Sequence, residues 1–216
     1  MTRRAGSIPE ETKAKLLHSA LEEFTEYGFD KASLRRICAK AEVTTGALYF
    51  FFQDKEDLFE NVLAPITERI HAMMKEHYSE ELKGSTEDVI SNEAEDFRFG
   101  IEFLEMYYSN QKVCKLILNN REHPAVTAFF DSLIMLIDQQ TIHLLETLLP
   151  AGDDSFVFNE CTIHWISHLQ VDTFIHILSH DFDRERAEEQ MRIMVHFLRE
   201  GFFSLLRLAG MRPPKQ

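Results

Sequence analysis

Between Thr44 and Lys55 the chain gathers side chains suited to holding a phosphate-bearing partner rather than to breaking bonds. Thr44 and Thr45 place two hydroxyls side by side, and Tyr49 follows with a phenol at helical spacing. Gly46 and Ala47 between them keep that segment slim, so that a partner can approach the backbone closely. Thr44 is a good N-cap, and the free N–H groups of a helix that opens there attract anions. Lys55 adds a cation at the start of the next helical segment. A slim helix whose first turn is polar is what reading base edges in the major groove requires.

Other residue types bear on chemistry without assembling a catalyst. His164, His168, Asp172, His176 and His180 recur every four residues. Each such step advances ~40° beyond a full helical turn, so the five spread over ~160° and cannot share one ion. Three neighbours, such as His164, His168 and Asp172, span half of that and can, although lining an interface or a ligand cavity is the commoner use of such a face. Cys114 lies between Lys112 and Lys115, the setting of a reactive thiol. No nucleophile, base and oxyanion site come together, and no HExxH spacing occurs, so no enzyme, metal or cofactor is expected. Phe is abundant, with 18 residues. Phe103, Met106 and Tyr107 on one segment and Phe130, Leu133 and Ile137 on another, with His164 and His168, are candidates to line an apolar ligand pocket.

The elements that carry these groups read as helices throughout. Leu16, Leu17, Ala20, Leu21 and Phe24 form one apolar stripe, which Gly28 ends. Ser33 caps a second, short helix with Leu34, Ile37 and Ala41 inward; the pattern breaks at Glu42 and Val43, and a third helix opens at Thr44. Asp54 caps a fourth, with Glu56 and Asp57 favourably placed in its first turn and a bend expected at Pro65. Further helices are expected over about 86–109, 111–119, 124–149, 156–179 and 184–208, with a loop at Pro150–Asp154. No alternating strand pattern is convincing. The expected fold is all-α, with about nine helices.

The 216 residues carry a formal net charge of −13, which argues at first against nucleic acid. The distribution of that charge points the other way, because residues 1–55 sum to +1 and the remainder to −14. A head that is not acidic can dock to phosphate through contacts acting within roughly 8–10 Å. Three cysteines without paired spacing suggest a reducing compartment. With no signal peptide or membrane span in view, a soluble cytoplasmic protein is expected.

The run Glu42-Val-Thr-Thr-Gly-Ala-Leu-Tyr-Phe-Phe-Phe-Gln-Asp-Lys-Glu-Asp-Leu-Phe59 resembles the signature of the TetR family, Gly-x-Leu-Tyr-x-x-Phe followed by Lys-Glu-x-Leu. The stretch from Ala20 to Ala39, with its Tyr-Gly pair and Ser-Leu-Arg-Arg-Ile, is similar too, and the likeness covers about residues 10–65. It implies a DNA-binding domain over 9–69, with a helix-turn-helix near 33–52, and an effector-binding and dimerising helical domain over 70–210. It further implies a ligand-responsive repressor. Its homodimer would bind palindromic double-stranded operator DNA through half-sites ~34–36 Å apart, or a multiple of that. By position, Thr44, Thr45 and Gly46 match base-contacting residues, Ser33, Tyr49 and Lys55 match phosphate contacts, and Arg35 matches a guanine reader. One departure stands out: Phe50 and Phe51 occupy positions where many relatives are polar, and Phe50 can touch a thymine methyl instead. The small-molecule effector would be largely hydrophobic. Rival readings are a metal- or redox-responsive regulator using His164, His168 and Asp172 or Cys114, and a helical adaptor that does not bind DNA.

Overall fold

The computed structural model describes residues 7–81, 93–149 and 157–210. Among them lie nine helices and no strand, as the apolar periodicity requires. They are α1 (Ser7–Lys31), α2 (Leu34–Lys40), α3 (Thr45–Phe51), α4 (Lys55–Glu81) and α5 (Glu93–Ser109), then α6 (Gln111–Asn119), α7 (Pro124–Leu148), α8 (Glu160–Leu178) and α9 (Arg184–Leu208). None is long and apolar enough to cross a membrane. The chain divides into two compact units, one reaching Ile70 and including Asn110–Thr127, the other comprising His71–Ser109 and the residues from Ala128 onward.

The first unit is built on α1. Leu16, Ala20 and Phe24 repeat every fourth residue and are buried along one line of that helix. Gly28, at φ 74°, breaks the helix as expected, and only a short turn continues to Lys31. That left-handed conformation costs a glycine little and a side chain more. Ile37, Leu48, Phe52, Leu58 and Phe59 complete the core from α2, α3 and the adjoining chain into α4. Phe24, Phe29 and Phe59 meet with ring centroids 5.0–5.9 Å apart. His123 joins that cluster, 4.4 Å from Phe29 and 4.5 Å from Phe59, and α6 packs on α1. Asp54 caps α4 as expected, accepting the Asp57 N–H at 2.9 Å, while Asp57 in turn accepts the Gln53 N–H at 2.8 Å. The helix runs on through Pro65 to Glu81.

The second unit centres on α9, which packs against α5 and α8. Leu104 of α5, Ile177 of α8 and Ala187, Met191, Met194 and Val195 of α9 form one buried cluster. Leu145 and Leu148 of α7, with Ile163, Phe203 and Leu206, form another. Two phenols tie the end of α8 and the turn beyond it to α5, Tyr107 donating to the Leu178 carbonyl at 3.1 Å and Tyr108 to the Phe182 carbonyl at 2.9 Å. The helix expected from residue 156 starts instead at Glu160, because Asn159 caps it by accepting the Thr162 N–H at 3.0 Å. The expected helical residues 86–92, Phe156 and the Pro150–Asp154 loop lie outside the described residues.

At Gly100 α5 and α9 approach closely. A Cβ there would stand 2.8 Å from Met191 Cγ, and Met191 is fully buried. Gly100→Ala should therefore destabilise the protein by about 1–2 kcal/mol despite alanine's better helix propensity, because overpacking outweighs it. Urea denaturation measures this, and an unchanged or raised midpoint would show that α5 and α9 have room to spare.

Candidate nucleic-acid interface

α3 is only seven residues long, and its two sides differ sharply. Leu48 is fully buried and anchors it, and Phe52 just beyond its end is buried as well. Thr44, Thr45 and Gly46 reach the surface, as do Tyr49 at 58% and Phe50 at 78% exposure. Thr44 is the N-cap, its hydroxyl accepting the Ala47 N–H at 3.2 Å. The link from α2 is tight, since Val43 N–H donates to the Cys38 carbonyl at 3.0 Å while Glu42 takes φ 57°. The sequence thus folds locally into two short helices joined by a left-handed turn.

Gly46 is the most telling residue on this face. A Cβ there would meet nothing nearer than the Thr44 hydroxyl at 3.8 Å. Among the described residues no contact therefore calls for glycine, which costs about 1 kcal/mol against alanine inside a helix.

The flanking residues divide into those that reach solvent and those tied inward. Arg35 is exposed on α2. Ser33 sits at the N-cap position of α2 but, contrary to the expectation from sequence, its side chain makes no capping bond. Its backbone N–H donates instead to Glu23 Oε1 at 2.8 Å. Lys55 is half-buried, donating to the Phe29 carbonyl at 2.9 Å with its ammonium 4.3 Å from the Phe29 ring centre. Phe50 stacks edge-on against Phe51 at 5.0 Å and still presents most of its ring to solvent.

Glu23 is the positioning residue that sequence reasoning missed. It is 5% exposed on α1 and receives both the Ser33 N–H and the Arg36 guanidinium, whose Nε lies 2.8 Å away. Arg36 also lies 4.4 Å over the Tyr27 ring, and its partnership with Glu23 holds its pKa above the ordinary arginine value. One buried carboxylate thereby fixes where α2 starts relative to α1. The available signal was a glutamate next to Phe24 on the apolar stripe.

The candidates in the second unit differ in burial. Met106, Tyr107, Leu133 and Ile137 are buried, whereas Phe103 and Phe130 are half-buried against Phe174 and Phe129. A shallow surface groove runs along α9, lined by Arg192, Ile193, His196, Phe197 and Gly201 among others. His164, His168, His176 and His180 are exposed, and so is Asp172. Among the described residues, no three His, Cys, Asp or Glu side chains are grouped to hold an ion, so Asp172 does not join His164 and His168 in a shared site. Cys114 does not fit the redox reading, because burial pushes its thiol up to about 12 and leaves almost no thiolate at neutral pH.

Comparison with known proteins agrees with this geometry. Residues 16–62 match the model of bacterial regulatory proteins of the tetR family. The chain is 39% identical over 64 residues to the HTH-type transcriptional regulator SrpR of Pseudomonas putida, covering 30% of each chain. It is 28% identical over 126 residues to UidR of Escherichia coli K12, another HTH-type transcriptional regulator, covering 55% of this chain and 62% of UidR. The aligned stretches thus span less than two thirds of either relative. In structure it resembles the TetR-family transcriptional regulator SCO4454 of Streptomyces coelicolor, with TM-score 0.57 and 20% identity over 89% of this chain and 96% of that one. The chain carries the TetR-family N-terminal domain and has the all-helical fold of TetR-family regulators.

Because the Thr44 hydroxyl closes the first turn of α3, Thr44→Ala should lower stability by about 1 kcal/mol and Thr44→Ser by much less. Equilibrium unfolding of both variants distinguishes a capping role from a purely external one, for which the two would be equally stable.

Proposed function

We propose that the protein is a cytoplasmic, homodimeric transcriptional regulator that reads double-stranded operator DNA through α3 and acts as a repressor released by a small, largely hydrophobic effector. The observation that carries this reading is the exposed face of α3, polar at its start and bare at Gly46. On this account Thr44, Thr45 and Gly46 lie against base edges, and Tyr49 meets a phosphate with Ser33, as does Lys55 once its ammonium leaves the Phe29 carbonyl. Arg35 reads a guanine, and Phe50 touches a thymine methyl. The DNA-binding domain is taken as residues 9–69 and the effector-binding, dimerising domain as 70–210.

The dimer reading is supported by apolar surface on the last two helices. Trp165 and Leu169 on α8 and Ile193, Phe197 and Leu208 on α9 are exposed, at 39% to 66%. Side chains of this size left in water favour an isologous partner. The effector reading rests on aromatic density around Phe103, Phe130 and their neighbours. To release the operator, such a ligand must favour the unbound form by about 5.5 kcal/mol to move occupancy from 99:1 to 1:99.

The test starts from genomic fragments retained by the purified protein, which supply a probe for binding measurements at fixed salt. Thr45→Ala and Tyr49→Ala should each weaken binding at least ten-fold without loss of fold. Gly46→Ala should move two properties in opposite directions, raising thermal stability through helix propensity while reducing DNA affinity. If Gly46→Ala binds DNA as well as the parent protein, α3 does not lie in the groove as described.

A further inference from the structure

We propose that His164 and His168 form a two-imidazole clip for a divalent transition-metal ion on the surface of α8, with Asp138 of α7 as its positioning residue. The two Nε2 atoms lie 3.2 Å apart, one helical turn from each other on the same face. Two nitrogens bound at roughly 2.0–2.1 Å to one tetrahedral ion stand about 3.3 Å apart, so this separation already fits. Both rings are exposed on the single chain.

Asp138 supplies the second, independent observation. Its Oδ2 lies 2.9 Å from His164 Nδ1, on the far side of that ring from His168. The carboxylate accepts the hydrogen bond of Nδ1–H, which leaves the His164 Nε2 lone pair facing His168. A carboxylate behind a ligating imidazole is the usual way a protein fixes a ring for a metal. The other oxygen of Asp138 is buried with no hydrogen-bond partner, so the carboxylate is held in place at a cost in desolvation.

Without metal, His168 Nε2–H donates to His164 Nε2. Binding an ion requires His168 to carry its proton on Nδ1 instead, a tautomeric change that releases no proton overall. Soft or hard extremes do not suit such a donor pair. Imidazole nitrogens favour Cu²⁺, Ni²⁺ and Zn²⁺ over Mg²⁺ and Ca²⁺. This clip differs from the ladder expected from the sequence, since the third group is Asp138 and it holds the ring rather than the ion.

Metal binding at this clip is independent of DNA binding, so either can fail alone. The full chain, stripped of metal, is titrated calorimetrically with Cu²⁺, Zn²⁺ and Mg²⁺, and the Cu²⁺ form is studied by electron paramagnetic resonance. A single tight equivalent per chain is expected for Cu²⁺ and Zn²⁺ but not Mg²⁺, with superhyperfine splitting from two nitrogens. His164→Ala and His168→Ala should each remove that equivalent, and Asp138→Asn should weaken it ten- to a hundred-fold. His143→Ala, a change to another exposed histidine, should leave it intact. Because the replaced rings are exposed, circular dichroism should show an unchanged fold. Retention of the tight equivalent in both His164→Ala and His168→Ala, or an affinity insensitive to Asp138→Asn, overturns the proposal.

Discussion

A helix of seven residues cannot hold itself together in water, and α3 exists because its neighbours hold it. Leu48 is fully buried, Phe52 nearly so, and between them they consume one side of the helix. The opposite side is then forced outward by geometry, since residues ~100° or more away on so short a cylinder have no core to reach. Thr45, Gly46, Tyr49 and Phe50 are exposed for that reason. Anchoring by one leucine thus creates the surface on which the proposed function depends, and any loosening of Leu48 would blur it.

Polar contacts decide where that anchored helix starts. The buried Glu23 carboxylate collects the Ser33 N–H and the Arg36 guanidinium, tying the beginning of α2 to α1. Glu42, at φ 57°, then turns the chain within two residues into α3. A non-glycine residue in that conformation is strained, and the strain is tolerated because Val43 N–H still closes onto the Cys38 carbonyl. Apolar burial fixes which side faces out, and these hydrogen bonds fix the angle at which it does so.

Much of this was readable from the residues, and the gaps have physical causes. The four-residue recurrence of Leu16, Ala20 and Phe24, the break at Gly28 and the helix starts at Thr44, Asp54 and Pro124 are local signals, and the helices follow them closely. Exposure of Thr44, Thr45, Gly46 and Tyr49 followed from where a polar first turn meets a single buried leucine. Glu23 was not legible, because its partners lie 10 and 13 residues away and no local rule marks a buried carboxylate. Ser33 has the residue type and place of a cap, yet its side chain makes no capping bond, and its backbone N–H reaches Glu23. Asp138 escaped notice because it sits 26 residues from His164 on a different helix. The packing of α6 on α1 and the contact of His123 with Phe29 and Phe59 were equally hidden, since these partners are remote in sequence.

Everything proposed for the first unit turns on one contact, the exposed side of α3 against DNA. Amide hydrogen exchange of the full chain, compared with and without a retained DNA fragment, reads that contact directly. New protection is predicted to concentrate at residues 44–50 and at the start of α2, with no comparable change along α9. Protection that leaves residues 44–50 untouched and appears elsewhere would contradict it.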